Sequence, residues 1–289
     1  MRISVILTVY NRVRDLERVL WGYAVQSDRD FQLVIADDGS GAEVAELVGR
    51  MRREAGLDLL HVWHEDRGFR KSEILNRAIV AASGDYLLFS DGDCIPRRDM
   101  VAVHRALATP DRFVAGGYLK LPADVSGRIT LDDVTSGRVG DLAWLRAQGW
   151  RPGRRALRLT RSRKLARIYD ALTPTRAVFQ GNNASVWRSA LEKVNGFEGE
   201  MGYGGLDKAL GYRLENAGIP GTQARHRAVS LHLHHDRPYR DPEMIRRNLA
   251  LLRALRGSAE YRARRGIAEL APDPTLRIDG DPAFPSEDR

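Results

Sequence analysis

An intramolecular disulfide is excluded at once, because the 289-residue chain has a single cysteine, Cys94. A lone thiol closes no intramolecular bridge and fits a reducing compartment. Long apolar runs are missing as well: no stretch approaches the roughly 18 residues that a membrane-spanning helix needs. The opening "MRISVILTVYNR" is a short apolar run broken by Asn and Arg, so no secretory signal is expected there. No internal repeat is present. These absences point to a soluble, cytoplasmic protein, with peripheral contact at a membrane face left open. Acidic residues are the minority charge. The formal net charge is +8 and the isoelectric point is near 9.9, which favours an anionic partner: nucleic acid, a membrane surface or a phosphorylated substrate. Apolar residues make up 43% of the chain, enough for one large domain or two small ones with a substantial core.

Over about the first 100 residues, short β-rich runs alternate with helical periodicity. "ISVILTV", "FQLVIADDGS", "LDLLHVWHE" and "DYLLFSD" read as strands. "RDLERVLWGYAVQS", "AEVAELVGRMRREAG" and "KSEILNRAIVAAS" read as helices, with Gly56 a C-cap. This order predicts a doubly wound α/β fold with a parallel sheet. Ligands of such sheets bind outside the carboxyl ends of the strands. Tyr10-Asn11, Asp37-Asp38 and Asp91-Gly92-Asp93 all fall at those ends, so they are expected to share one site. Later, "FVAGGYLKL" and "AVSLHLHHDRP" read as strands and "PEMIRRNLALLRAL" as a helix. "DPTLRIDGDPAFPSEDR" is rich in Pro and Asp and is expected to be poorly ordered.

Each polar cluster has a chemical reading and a plainer one. Asp91 and Asp93 flank Gly92, so both carboxylates converge on a divalent cation or simply border a surface turn. In Asp37-Asp38-Gly39-Ser40, Asp38 accepts from a ligand N–H and Ser40 caps the next helix, or the whole is a structural turn. Arg67, Arg70 and Lys71 open a helix, where cations oppose the macrodipole unless an anion such as a diphosphate joins them. "GEMGYGGLDKAL" places glycines ahead of Asp207, which acts as a general base, as a helix cap, or as both. His232, His234 and His235 make a metal-ligand cluster, provided that the strand ends early enough for His232 and His235 to face one way. From Arg146 to Arg167 the chain has nine basic residues and no acidic one, interleaved with apolar side chains. That run reads as a basic amphipathic surface for membrane or acceptor, or as a solvated face.

Taken in order, "SVILTVYNR", "LVIADDGS", "GDYLLFSDGDCIP" and "NGFEGEMGYGGLD" resemble the signatures of family-two glycosyltransferases with the GT-A fold. The resemblance covers roughly residues 3–237. "RGFRKSEILNRAI", "GYGGLD" and the downstream histidines are most similar to the subgroup that shares a C-terminal module with β-1,4-galactosyltransferases and chondroitin-polymerase-type enzymes. The resemblance implies an inverting transfer from a nucleotide-sugar donor, most often a UDP-sugar, to a carbohydrate or glycolipid hydroxyl, with Mn²⁺ or Mg²⁺ as cofactor. Thr8, Tyr10 and Asn11 match the loop that holds the nucleoside, and Asp38 the residue that meets uracil. Arg67, Phe69 and Lys71 match the segment beside base and diphosphate. Asp91, Gly92 and Asp93 match the DxD motif, with Asp93 the direct metal ligand and Asp91 nearer the ribose. Tyr203, Gly204 and Gly205 match the donor and acceptor loop, Asp207 the catalytic base, and His235, then His232, the metal shell. One departure stands out: the family loop reads Gly-Gly-Glu-Asp, and here Leu206 replaces the Glu.

The expected fold is therefore α/β: one Rossmann-like GT-A domain with a central, mostly parallel sheet flanked by helices, plus a C-terminal helical extension. Residues 1–100 form the nucleotide-binding half, 101–237 the acceptor half with a basic insertion at 120–178, and 238–289 a helix and flexible tail. Peripheral membrane contact falls on 146–168. A nucleic-acid partner would explain the charge but not acidic and Gly-rich clusters gathered at strand ends, so none is expected. A zinc-dependent hydrolase, or an inactive protein that binds carbohydrate or nucleotide, remains the rival reading.

Overall fold

The computed structural model describes residues 1–236 and 241–280. Strands β1 (Ile3–Val9), β2 (Phe31–Asp37), β3 (Leu59–Trp63) and β4 (Tyr86–Asp91) alternate with helices α1 (Val13–Ala24), α2 (Ala42–Ala55) and α3 (Lys71–Ala81). They pair in parallel in the order β3-β2-β1-β4. The two-residue side-chain period of a strand explains the layers. Ile3, Val5 and Leu7 of β1 pack with α1 and α2, while Ile6 joins Val34, Leu87 and α3 on the other face. Each such aliphatic side chain contributes about 1.5–3 kcal/mol by leaving water. Gly56 closes α2 with φ +58, as expected.

The second half extends this sheet. It adds β5 (Cys94–Pro96), α4 (Met100–Leu107), β6 (Phe113–Lys120), then α5 (Ala123–Arg128), α6 (Leu131–Thr135), α7 (Leu142–Ala147) and α8 (Arg163–Leu172). After these come β7 (Ala184–Trp187), α9 (Arg188–Val194), α10 (Leu206–Asn216), β8 (Gly221–His232), α11 (Pro242–Leu255) and β9 (Arg277–Asp279). The full order is β5-β8-β6-β7-β4-β1-β2-β3-β9. Strand β7 enters antiparallel between β4 and β6, whereas β6 and β8 run parallel. The insertion is a set of short helices and 3₁₀ turns whose Val125, Ile129, Val139, Leu145, Trp150 and Leu159 complete the first core. No helix among the described residues is long and apolar enough to cross a membrane.

The chain's end differs from the expected loose tail. Residues 257–280 return to the body, where Ala263 N–H donates to Val194 and Gly199 N–H to Arg265 O. Strand β9 pairs antiparallel with β3, and Arg52 binds Asp279. Leu276 and Ile278 supply the apolar contacts that the surrounding Asp and Pro obscure in the sequence. Residues 281–289 of the expected tail lie outside the described residues.

A buried polar chain locks the two halves together. Tyr86 Oη lies 2.7 Å from Ser185 Oγ, which lies 2.6 Å from His104 Nδ1. His104 Nε2 is 2.8 Å from Asn183 Oδ1, and the Asn183 amide donates to Gly117 O and Ala228 O. One consistent assignment runs through it: a neutral imidazole donates from Nε2 and accepts at Nδ1. Burial pushes His104 down to about 4 from its ordinary 6.5, against the opposing hydrogen bond to Asn183. The folded state thus resists a proton that the unfolded chain takes up. Stability present above pH 6.5 drains as pH falls from there towards 4, by up to about 3 kcal/mol from this group. Urea unfolding at a series of pH values should show His104→Gln with a shallower acid loss than wild type in that window. Equal slopes would contradict a neutral buried His104.

Candidate active site

Register brings the acidic strand ends together. Val9 lies beside Asp37 and Thr8 beside Asp91 across the parallel ladder, so the turns after β1, β2 and β4 open at one edge. After β1, Asn11 and Arg12 both take left-handed backbone (φ 54 and 58), which costs non-glycine residues about 1–2 kcal/mol each. Neighbouring contacts hold the loop: Asn11 N–H donates to Ser40 Oγ at 2.7 Å, and Gly41 N–H to Asn11 Oδ1 at 3.2 Å. Ser40 therefore does not cap α2, whose N-cap is Gly41. Asp37 is turned inward to His61 and Ser40 N–H. Asp38 accepts from His64 at 2.8 Å and from Arg70 N–H at 3.1 Å, and burial raises its pKa in spite of both. These two bonds take up two of its roughly four lone-pair positions.

A cavity of about 840 Å³ occupies this edge. Thr8, Tyr10, Asn11, Asp38, Phe69 and Lys71 line one part of it. Asp91, Gly92, Asp93, Tyr203, Gly204, Gly205, Asp207, His232 and His235 line the rest. Arg67 is the exception among the expected residues: it is exposed and turns to Glu65 at 2.8 Å. Its neighbour carboxylate is simply nearer than the cavity. Tyr10 reaches Asp66 at 2.9 Å, and Phe69 meets Tyr203 edge to face at 5.9 Å.

The two carboxylates of the Asp-Gly-Asp turn have different partners. Asp91 Oδ1 accepts from Lys71 Nζ at 2.8 Å and from the Thr8 hydroxyl. Burial would raise the Asp91 pKa, but the Lys71 charge and these hydrogen bonds hold it below the usual carboxylate range. Burial likewise opposes the Lys71 ammonium, and Asp91, Asp207 and Asp93 together outweigh it. Lys71 is thus a fixed cation amid three carboxylates rather than a free helix-opening charge.

Asp93 faces imidazoles instead. Strand β8 ends at His232, beside Cys94 in the β5 ladder, and Leu233 N–H donates to Asp93 O. Release from the strand period lets His232 and His235 face the same way, their rings stacked at 5.3 Å. His234 points elsewhere and is exposed, its N–H on Ser126 Oγ. Both Nδ1 atoms sit on main-chain carbonyls, His232 on Leu233 O at 2.7 Å and His235 on Asp236 O at 2.9 Å. That fixes a proton on Nδ1 and leaves each Nε2 towards Asp93, at 3.9 and 3.1 Å. Burial holds His235 below its ordinary pKa, against the Asp236 carbonyl and the Asp93 charge. One carboxylate and two ring nitrogens thus converge at Asp93. Such a donor set fits a divalent metal ion with mixed oxygen and nitrogen taste. Cys94 lies beside them, its thiol kept protonated by burial and donating to Asp93.

Asp207 stands in the first turn of α10, yet it caps nothing: the N-cap is Gly205, without a side-chain hydrogen bond. Its Oδ1 is sealed from water and meets no side-chain donor among the described residues, while the Gly181 backbone N–H beside the carboxylate pulls its pKa down. Burial, and then the Asp91 charge, raise its pKa against the pull of Lys71. A methyl group on Gly181 would lie 2.6 Å from that oxygen, so only glycine leaves it room. The Gly-rich loop ahead of it is clamped rather than open. Asn248 of α11 donates to Gly202 O and Tyr203 O, and a side chain at Gly202 would strike Met244 at 2.2 Å. Leu206, in the place of the family's Glu, is only 5% exposed and belongs to the core with Met201 and Leu252.

Sequence reasoning missed Gly181, Gln180, Asn182, Lys120 and Arg12, all of which line the cavity or its carboxylate except Gly181, which backs it. The polar "FQGNN" loop before β7 is the visible signal for Gln180, Gly181 and Asn182; Arg12 and Lys120 have no comparable one.

Comparison with known proteins agrees with the geometry. A family profile, glycosyl transferase family 2, matches residues 4–194. The chain is 28% identical over 237 residues to a validoxylamine A glucosyltransferase of Streptomyces hygroscopicus subsp. jinggangensis, covering 77% of this chain and 53% of that one. It thus spans about half the length of such relatives. Among solved structures, the mannosyltransferase PcManGT from Pyrobaculum calidifontis, in complex with GDP-Man and Mn²⁺, superposes with a TM-score of 0.55 at 23% identity, covering 82% of this chain and 58% of that one. S. aureus TarS in complex with UDP-GlcNAc gives 0.57 at 15%, covering 88% and 66%. At these identities the likeness is one of fold, the α/β architecture of GT-A glycosyltransferases with its central, mostly parallel sheet. With the profile spanning well over half of its length, the chain belongs to glycosyl transferase family 2.

Proposed function

We propose that this protein is an inverting, metal-dependent hexosyltransferase. It moves a sugar from a nucleoside diphosphate, with UDP-sugars the donor class, to a hydroxyl of a carbohydrate or glycolipid in surface-polysaccharide or glycoconjugate synthesis. The observation that carries the reading is the placement of one partly exposed carboxylate, Asp207, with no ion-pair partner among the described residues, in the same cavity as Asp93 and its two imidazoles. An inverting transfer needs one base, whereas a hydrolase of the paired type needs two carboxyl groups at fixed separation. Neighbours solved with GDP-Man and Mn²⁺ and with UDP-GlcNAc support the donor class and a metal. The order of "RGFRKSEILN", "GYGGLD" and the histidines supports the subgroup similar to β-1,4-galactosyltransferases and chondroitin polymerases.

In this reading Tyr10, Asn11 and Thr8 hold the nucleoside, Asp38 meets the base, and Phe69 lies beside it. Arg67 takes no part. Asp93, His235 and His232 would hold Mn²⁺ or Mg²⁺, which when bound supplies positive charge against that gathering on the departing diphosphate. Lys71 keeps Asp91 ionised and near the ribose while limiting repulsion among the carboxylates. Tyr203, Gly204 and Gly205 border donor and acceptor. Asp207 takes the acceptor's hydroxyl proton, and the freed oxygen bonds to the anomeric carbon as the bond to the diphosphate oxygen breaks on the opposite face. Clamping by Asn248 keeps this base in register.

For Asp207→Asn, turnover should fall by about 10³-fold while donor affinity stays unchanged. Steady-state kinetics with calorimetry of donor binding checks this, and near-normal turnover removes Asp207 from the role. For Asp93→Ala, UDP should lose its Mn²⁺-dependent gain in affinity. Calorimetry that shows the same UDP affinity with and without Mn²⁺, in wild type as in variant, would sink the metal reading.

A further inference from the structure

Helix α8 is turned inside out. Its inward face has only Ala166 and Asp170 buried. Asp170 does the anchoring: it accepts from His226 N–H at 2.8 Å and from Arg227 Nε at 2.7 Å, both on β8. The large aliphatic side chains point the other way. Leu165, Ile168 and Leu172, spaced to share one helical face, are 44%, 50% and 73% exposed. Leu157, on the preceding 3₁₀ turn, is 45% exposed. An amphipathic helix that only served the fold would bury this stripe.

The charge around the stripe identifies what covers it. Lys164 on α8, and Arg154 and Arg155 before it, border the stripe and have no ion-pair partner among the described residues, whereas Arg163 and Arg167 turn with Ala166 to a second cavity. No acidic residue occurs between Arg146 and Arg167. A second copy docked face to face would set these cations against themselves. A nucleic acid would satisfy the cations and leave the leucines in water. An anionic lipid surface satisfies both, because apolar side chains enter the headgroup–acyl boundary while Lys and Arg meet the phosphates.

We propose that α8 and the 3₁₀ turn before it form a docking face for an anionic bilayer, with Leu165, Ile168 and Leu172 inserted and Arg154, Arg155 and Lys164 on the lipid phosphates. The proposal stands apart from sugar transfer, since none of these residues lines the cavity described above. The test is flotation of the full chain with vesicles of equal parts phosphatidylcholine and phosphatidylglycerol, against vesicles of phosphatidylcholine alone. Wild type should float with the anionic vesicles and not with the neutral ones. The triple variant Leu165→Ser, Ile168→Ser, Leu172→Ser should lose about tenfold or more in binding, and so should Arg154→Glu, Arg155→Glu, Lys164→Glu. Both sets lie on the surface, and unchanged melting temperatures confirm intact folds. Failure of wild type to float, or flotation untouched by either variant, overturns the proposal. Without flotation, salt-sensitive binding to duplex DNA lost only in the charge variant assigns the face to nucleic acid instead. Dimerisation abolished only by the serine variant, again without flotation, assigns it to a second copy. Transfer activity is assayed separately in solution, so loss of one result leaves the other standing.

Discussion

Three carboxylates, Asp91, Asp93 and Asp207, crowd the carboxyl edge of one sheet, and the rest of the site is arranged around the repulsion between them. Like charges at such spacing in a partly dry cavity are tolerated only when something positive lies close by or one of them holds a proton. The protein uses a different answer at each position. Asp91 has a permanent cation in Lys71. Asp207 has none of its own and is raised in pKa by burial, the condition of a group that gains by accepting a proton. Asp93 faces the Nε2 atoms of two imidazoles whose Nδ1 atoms are taken by main-chain carbonyls, a donor set suited to a metal.

The scaffold explains why these side chains hold their places. Parallel pairing of β1, β2 and β4 sets the strand ends level, and the β5–β8 ladder brings His232 to Cys94 across well over a hundred residues of chain. The buried chain from Tyr86 through His104 to Asn183 ties the parallel half to the antiparallel addition. Helix α11 then pins the glycine loop from outside, so the loop's glycines are needed for close packing as much as for freedom of backbone.

Much of this was legible in the sequence because strand period and helix period leave their mark locally. The parallel half, the Asp-Gly-Asp turn at a strand end and the Gly-rich segment before Asp207 all follow from short-range pattern. What was hidden depends on distance. Nothing local says that Gly181 makes room for Asp207 or that Asn248 holds Tyr203. Arg67 misled because a charge beside a motif is not thereby aimed at the ligand; Glu65, two residues away, takes it. The histidines were ambiguous because period alone puts His232 and His235 on opposite faces, and the strand's end at His232 decides otherwise. Strand β9 was obscured by its composition: Pro and Asp outnumber the two apolar residues that pack.

Direct spectroscopy of the metal's neighbours reaches the central claim. Pulsed electron paramagnetic resonance of Mn²⁺ added to the full chain with UDP should show coupling to an imidazole nitrogen, and His235→Ala should weaken it. A bound Mn²⁺ surrounded by oxygen alone, or no Mn²⁺ held at all, would contradict the assignment of Asp93 and its imidazoles as the metal's seat.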